Sequence, residues 1–438
     1  MKSATVDPRS GPAIRPTNFQ STARRAVITA AAVLVTAFGL ALLASYVFTR
    51  DPYWALRWTV DLKVYLASGL AVREGTSLYD VVIMSPLYGP MPYLYPPLTA
   101  VLFFVPLSFL PIGAASLVWN TASLVALGAV VWMTLKVVGV RDAWVRGVLT
   151  VVVLILAAWL LPVRIQLIAG QINMFLLLLV LLDFRGGGGR WRGVGIGIAA
   201  GLKVTPLIFI GYLVVTRQWR AAGTALGAFL GTVVAGFAVL PRDSLTYWSG
   251  LVLHSSRAGG VFDTPNQSLS GALARVLEGE QFARWWLVIL AGVAVFGLAV
   301  ARYVYLRGSD FLGFSAAAVT GLLVSPVSWE HHWVYVIPLL IWLACRAYQT
   351  RSAWLAVATG VLVLVFTIRV FSLLGIPESP PSPMELAVWQ KVVAAMFPLT
   401  GLALLIVGPM WVRHDFPSEP AARPVEPPLR ELVSASAR

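Results

Sequence analysis

The residues of this sequence that could carry out chemistry are polar side chains, each beside an apolar segment. Asp61 is a carboxylate a few residues past the first long apolar run, where it can accept a proton from an incoming hydroxyl group. The other candidates are cations, imidazoles, amides and a phenol, and they are Lys63, Tyr95, Arg164, Gln171, Asn173, Lys203, Asn266, Gln267, His331 and His332. Taken singly, most have an ordinary structural explanation, because amides cap helices and a lysine can extend its amine to the membrane surface.

Together these residue types suit the transfer of a sugar from a lipid phosphate to a hydroxyl group. Lys203 and Arg164 are predicted at helix ends near the bilayer boundary, where a cation reaches a lipid phosphate while its stem stays in apolar surroundings. His331 and His332 can hydrogen-bond phosphate oxygens or protonate a leaving phosphate. The amides supply the donors and acceptors that sugar hydroxyls require. We therefore predict catalytic roles for Asp61, His331 and His332, and substrate binding by the remaining candidates.

A metal site is the competing interpretation of the histidines and Asp61. Adjacent histidines diverge on a helix, and His254 and His414 stand far from the pair in sequence. The sequence contains no HExxH pattern, and Cys345 is its single cysteine. We therefore expect no obligatory metal or other cofactor.

Composition identifies a polytopic membrane protein. Of the 438 residues, 58% are hydrophobic and 12% are charged. A soluble domain of this length could not bury so much apolar surface, whereas runs of roughly 17 to 25 apolar residues match a hydrocarbon core about 30 Å thick. The net charge of +14 does not indicate a nucleic-acid partner, because the basic residues lie between hydrophobic runs instead of forming a patch on a polar domain.

The hydrophobic runs predict an all-α layout. It begins with a cytoplasmic tail over 1–25 and a first span over 26–48, followed by an extracytoplasmic loop over 49–111. In that loop, 97–110 is too short to cross comfortably and is predicted as a juxtamembrane or re-entrant helix. The further spans are predicted at 112–135, 147–163, 172–183, 193–203, 207–216, 221–240, 284–301, 311–327, 333–345, 353–370 and 388–411. The result is about 12 crossings in a single catalytic domain over 26–412, with a disordered cytoplasmic tail over 413–438.

Arginines in short turns set the predicted orientation. Arg190 and Arg192 lie in one such turn, Arg217 and Arg220 in another, and short cytoplasmic turns follow the positive-inside rule most closely. Under this orientation the polar clusters all fall at the outer boundary of the membrane, although they come from distant parts of the chain. This common position indicates one site.

Six motifs carry a resemblance to a known family. They occupy 61–65, 94–98, 170–173, 202–206, 266–268 and 324–333. Together they resemble the polytopic glycosyltransferases of the C superfamily, and within it glycosyltransferase family 87, the actinobacterial polyprenol-phosphate-mannose-dependent α-1,2-mannosyltransferases. The resemblance covers about residues 50 to 345.

This resemblance implies a GT-C fold, a multi-pass plasma-membrane location and an active site on the extracytoplasmic face. It implies that Asp61 matches the first-loop acid taken as the general base, and that the donor is polyprenyl phosphate mannose. The implied acceptors are phosphatidylinositol mannosides or lipomannan of the cell envelope, extended by an α-1,2 linkage with inversion. No motif is matched after Ala353, so acceptor choice is left open, as is the oligomeric state.

Two alternatives remain at this point. Related family members transfer arabinofuranose instead of mannose. A lipid or sugar transporter also has about 12 spans, but transporters often show repeats with polar sites at the bilayer midplane. Here the halves show no similarity, and the polar clusters concentrate at one boundary. The sequence therefore favours an enzyme.

Overall fold

The structure is a computed structural model that describes residues 59–86, 88–184, 189–254, 257, 259–277, 279–380, 382 and 385–415, together with positions 33 and 37. The predicted tail over 1–25 and nearly all of the first span over 26–48 lie outside the described residues. The predicted tail over 413–438 is described only as far as 415.

The described chain is mainly helical, as the sequence predicts. Its helices are α1 (Val60–Glu74), α2 (Pro97–Leu107), α3 (Ile112–Val137), α4 (Ala143–Ala157), α5 (Leu161–Ala169), α6 (Asn173–Asp183), α7 (Val194–Leu202), α8 (Leu207–Val215), α9 (Trp219–Val239), α10 (Pro241–Ser249), α11 (Leu269–Val276), α12 (Gly279–Leu306), α13 (Asp310–Val324), α14 (Ile337–Thr350), α15 (Ala353–Thr367), α16 (Val370–Leu373), α17 (Val388–Ala394) and α18 (Met396–Asp415). A 3₁₀ helix over Glu330–Val336 precedes α14.

A two-stranded hairpin is the exception to the all-α prediction. Strands β1 (Val82–Ser85) and β2 (Gly89–Pro92) pair antiparallel between α1 and α2. Residues 82–84 are Val, Ile and Met, which suit a half-buried strand, and Gly89 at φ 69° provides the left-handed backbone of the turn. The hairpin lies in the segment predicted as the first extracytoplasmic loop.

Three helices in the described residues are long and apolar enough to cross a membrane, namely α3, α9 and the part of α12 over Trp285–Leu306. The number rises to five if each of two bent helix pairs counts as one span. The structure thus supports a polytopic membrane protein, whereas about 12 crossings stays a prediction. Shorter apolar helices, such as α6, α13 and α15, occupy several of the other predicted spans.

Two predicted spans are bent helix pairs. The predicted span over 147–163 is divided between α4 and α5, which meet at 79°. Pro162 lies in the first turn of α5, where the missing N–H of a proline is tolerated. The predicted span over 388–411 is likewise divided between α17 and α18, at 64°. The apolar runs predict the helical segments but do not reveal the breaks within them.

Close packing of α7 on α9 fixes the position of α7. At Gly197 a Cβ atom would lie 2.2 Å from the backbone oxygen of Ala225, so only glycine permits this approach. At the C-terminal end of α7, the hydroxyl of Thr99 in α2 donates a 2.8 Å hydrogen bond to the carbonyl of Leu202. Lys203 follows directly, and its position is therefore fixed from two sides.

Candidate active site

Asp61 lies in the first turn of α1 and lines a cavity of about 790 Å³. The backbone N–H of Thr59, just before the helix, donates to the carbonyl of Ile168 in α5 and attaches this end of α1 to α5. Helix α1 is not one of the candidate membrane spans. Burial raises the pKa of Asp61 to about 6, against the opposing effects of a hydrogen bond from Gln171 and the charge of Lys203. The carboxyl group therefore titrates close to neutral pH, where a general base is most effective.

A chain of hydrogen bonds orients the Asp61 carboxylate. The hydroxyls of Tyr65 and Tyr95 are 2.8 Å apart, and the Tyr95 hydroxyl donates to Oε1 of Gln171 at 2.7 Å. This bond leaves the Gln171 amide nitrogen facing Asp61, and Nε2 donates to Oδ2 at 2.7 Å. Among the described residues Oδ1 of Asp61 has no hydrogen-bond partner, so it is the oxygen available to a substrate hydroxyl.

The tight turn between α5 and α6 brings Gln171 to Asp61. Gly170 ends α5 at φ 79°, and a Cβ atom there would lie 2.7 Å from Cβ of Leu62 in α1. The indole N–H of Trp119 donates to the Gly170 carbonyl at 2.8 Å. A glycine is therefore required both by the backbone conformation and by the contact with α1.

Lys203 lies in the same cavity and is only 8% exposed. Its Nζ donates to Oδ1 of Asn173 at 2.9 Å and lies 2.9 Å from Nε2 of His332. An ammonium group only donates, so Nε2 of His332 accepts and Nδ1 carries the ring proton. Asn173 is held in turn, because its Nδ2 donates to Oε1 of Gln166 at 3.0 Å. Lys203 is thus a buried cation held in a fixed position at the cavity wall.

Both histidines line the cavity and are buried. Burial, followed by the nearby charge of Lys203, lowers the pKa of His331 and of His332 well below the usual value for imidazole. Two neutral imidazoles suit hydrogen bonding to a substrate better than outright proton donation. Nε2 of His331 has no hydrogen-bond partner among the described residues, and a bound water or a substrate group would satisfy it.

Five predicted substrate-binding residues do not line this cavity. Asn173 is buried behind the cavity wall, where it accepts a hydrogen bond from Lys203. Lys63 is exposed, and Arg164 is half-buried and donates to the carbonyl of Thr367. Asn266 and Gln267 are almost fully buried. For these five, substrate binding stays a prediction, because none of them lines the cavity.

The amides of Asn266 and Gln267 bond to backbone groups of neighbouring loops. Oδ1 of Asn266 accepts from the N–H of Ser328 at 3.0 Å. Nε2 of Gln267 donates to the carbonyls of Thr264 and Ala394, at 2.7 and 2.8 Å. Such bonds satisfy backbone groups where loops meet inside the protein. The Asn266 amide therefore holds the loop that carries Trp329 and the histidines, and the Gln267 amide joins its own loop to the end of α17.

Sequence reasoning missed an ion-pair network at the cavity. Nε and one terminal nitrogen of Arg369 each donate to Glu330, both at 2.8 Å, and the other terminal nitrogen donates to Glu378 at 2.6 Å. All three residues, together with Asp263 and Trp329, line the cavity. Arg369 follows the apolar run of α15, and a lone charge at the end of such a run was the available signal.

No group of three or more His, Cys, Asp or Glu side chains suited to a metal occurs within the described ranges. The expectation that no metal is required stays a prediction.

Apolar helices around a cavity that presents a carboxylate, a buried lysine and two neutral imidazoles define a candidate enzyme site in a membrane protein. The family model for glycosyltransferase family 87 matches residues 93–326. The chain belongs to glycosyltransferase family 87. No solved structure matches it.

Three curated relatives have names that specify the same donor, polyprenol phosphate mannose. The polyprenol-phosphate-mannose-dependent α-(1-2)-phosphatidylinositol mannoside mannosyltransferase of Mycobacterium tuberculosis is 32% identical over 400 residues, or 86% of this chain and 90% of the relative. The protein of the same name from Mycolicibacterium smegmatis is 32% identical over 402 residues, or 85% of this chain and 88% of the relative. A pentamannoside mannosyltransferase of M. tuberculosis with the same donor in its name is 33% identical over 311 residues, or 70% of each chain.

Proposed function

We propose that this chain transfers mannose from polyprenyl phosphate mannose to a lipid-linked mannoside of the phosphatidylinositol mannoside or lipomannan type, forming an α-1,2 linkage. The observation that carries the proposal is that Asp61 and the pair of Lys203 and His332 line one cavity, so that a base and an anion-stabilising group can act on the same substrate. The names of the relatives supply the donor and the acceptor class.

The proposed reaction is a single displacement with inversion. Oδ1 of Asp61 removes the proton of an acceptor hydroxyl, whose oxygen attacks the anomeric carbon of the β-linked mannosyl phosphate. The bond from that carbon to the phosphate oxygen breaks, and polyprenyl phosphate leaves with the bonding electron pair. Lys203, held in place by His332 and Asn173, stabilises the negative charge that develops on the phosphate. The product is α-linked, and Asp61 later releases its proton to water.

The cavity belongs, under this proposal, to a GT-C fold with about 12 crossings in the plasma membrane, and it opens on the extracytoplasmic face. A lipid-linked donor suits that side, because soluble nucleotide sugars are available on the cytoplasmic side. Under this proposal the substrate supplies the hydrogen-bond partner that Nε2 of His331 lacks among the described residues. The scheme requires no metal.

Membrane orientation can be checked by cysteine labelling in a Cys345→Ser background. Gly189→Cys, in an exposed arginine-rich turn, should react with an impermeant maleimide only from the cytoplasm. Glu385→Cys, exposed on the loop before α17, should react only from outside. The opposite pattern would place Asp61 on the cytoplasmic side and would remove the reason for a lipid-linked donor.

The reaction itself is tested by mass spectrometry of its products. Purified protein in a chelating buffer, given labelled polyprenyl phosphate mannose and extracted phosphatidylinositol mannosides, should add one labelled hexose to the acceptor. Digestion with an α-1,2-specific mannosidase should remove it. Transfer of a pentose from the arabinose donor, or no transfer of either sugar by folded protein, would contradict the proposal.

A further inference from the structure

The cavity has a second polar region besides the surroundings of Asp61 and Lys203. It consists of Asp263, Trp329, Glu330, Arg369 and Glu378, all of which line the cavity. The cavity volume, about 790 Å³, lies in the upper part of the range for pockets that hold a whole small molecule, roughly 300 to 1,000 Å³. A monosaccharide and its phosphate at Asp61 and Lys203 therefore leave room for further sugar residues.

The charges of this second polar region do not suit a phosphate. Its three carboxylates face two cavity-lining guanidiniums, and both guanidiniums have partners. Arg369 is paired with Glu330 and Glu378. The Arg257 guanidinium lies over the Tyr79 ring and donates to the backbone carbonyl of Tyr79. A neutral ligand rich in hydroxyl groups fits such a surface, because each carboxylate accepts from hydroxyls without repelling them.

Two further side chains point to a sugar as that ligand. His331 follows Glu330 in the chain, is only 5% exposed and lines the cavity, and its Nε2 has no hydrogen-bond partner among the described residues. The indole of Trp329 is half-buried beside Gly259 and gives the same region a flat apolar face. A pyranose presents a C–H face to an aromatic ring and hydroxyls to its rim, so the two kinds of contact belong together.

The second polar region is also rigid before any ligand binds. Glu330 is held by two bonds from Arg369, and Glu378 by a third. The backbone N–H of Thr264 donates to the Glu378 carbonyl at 2.8 Å, which joins two of the loops that form the region. Oδ2 of Asp263 accepts from the N–H of Gly260 at 3.0 Å. Fixed acceptors lose little entropy on binding, which favours recognition of one ligand geometry.

We propose that this second polar region binds mannose residues of the acceptor glycan, beyond the residue whose hydroxyl Asp61 activates. The inference rests on the proposed function. The names of the relatives agree with a separate acceptor site, since one donor occurs with two different acceptors. Glu330, Arg369 and Glu378 also lie beyond the 93–326 range that the family model matches.

Two substitutions that preserve most of the local volume test this subsite. Glu378→Gln keeps an oxygen for Arg369 but removes a charged acceptor, and Trp329→Leu removes the aromatic face. Each should raise KM for the mannoside acceptor by about tenfold, through one lost hydrogen bond to a charged group in Glu378→Gln and through the lost aromatic contact in Trp329→Leu. KM for the donor should change by less than about twofold in both. Glu385→Gln, at an exposed position outside the cavity lining, is the matched control and should change neither.

A binding measurement separates this inference from the proposed function. A free α-linked mannose oligosaccharide, titrated calorimetrically into wild type, should bind, and binding should weaken by about tenfold in both variants. If wild type binds it but transfers another sugar, only the proposed function fails. Equal changes for donor and acceptor, a donor effect alone, or unchanged oligosaccharide binding in folded variants would overturn the acceptor subsite.

Discussion

Asp61→Asn should reduce turnover by about 10²-fold or more, the typical loss when a general base is removed. Asparagine keeps the shape of the side chain and can still accept the bond from Nε2 of Gln171. It lacks the basic oxygen that removes the acceptor proton. Turnover should therefore fall while binding of a non-transferable donor analogue stays close to wild type.

The matched control for this variant is Glu74→Gln. Glu74 ends the same helix, is exposed and is absent from the cavity lining, so its loss of charge should leave turnover unchanged. Protein level, analogue binding and product must be measured on one preparation. Turnover near the wild-type value in Asp61→Asn would refute the base assignment.

The pH dependence gives a second measurement on Asp61. A base acts only when deprotonated, and burial raises the pKa of Asp61 to about 6. The value of kcat/KM should therefore be constant above that pKa and fall about tenfold for each pH unit below it. An ordinary aspartate, with a pKa of about 3.9, would lose activity only in much stronger acid. A profile that is flat from pH 7 to about pH 4.5 would contradict the assignment.

Lys203→Met should lower kcat/KM for the donor by roughly 10²-fold, the effect of removing one well-placed group that stabilises developing charge. Methionine keeps most of the apolar stem but removes the cation and leaves Asn173 and His332 without their shared partner. The acceptor makes no required contact with Lys203 in the proposed reaction. Its KM should therefore stay within about threefold of wild type.

Lys136→Met controls for the loss of a positive charge. Lys136 is exposed in the last turn of α3 and does not line the cavity. This variant should behave as wild type in the donor titration. Equal losses for donor and acceptor in folded Lys203→Met would assign Lys203 a structural role instead of a phosphate contact.

The sequence by itself determined the class of protein and predicted several residues that the structure brings to one cavity. Apolar run length predicted the three long helices α3, α9 and α12, because the thickness of the bilayer constrains length directly. Asp61, Gln171 and Lys203 were also found from sequence, since each is a polar residue beside an apolar run. The chemistry that these side chains can perform depends on residue type, which can be read directly from the sequence.

Tertiary structure alone decided which polar groups face the cavity. Gln267 has the same side chain as Gln171, which lines the cavity, but Gln267 bonds to backbone groups where loops meet. Arg369 had no recognisable motif, yet it pairs with Glu330, 39 residues away in sequence. A side chain that satisfies the backbone and one that faces a ligand have the same identity in sequence. The difference arises only when distant loops pack together, as when Gln171 meets Asp61 across 110 residues.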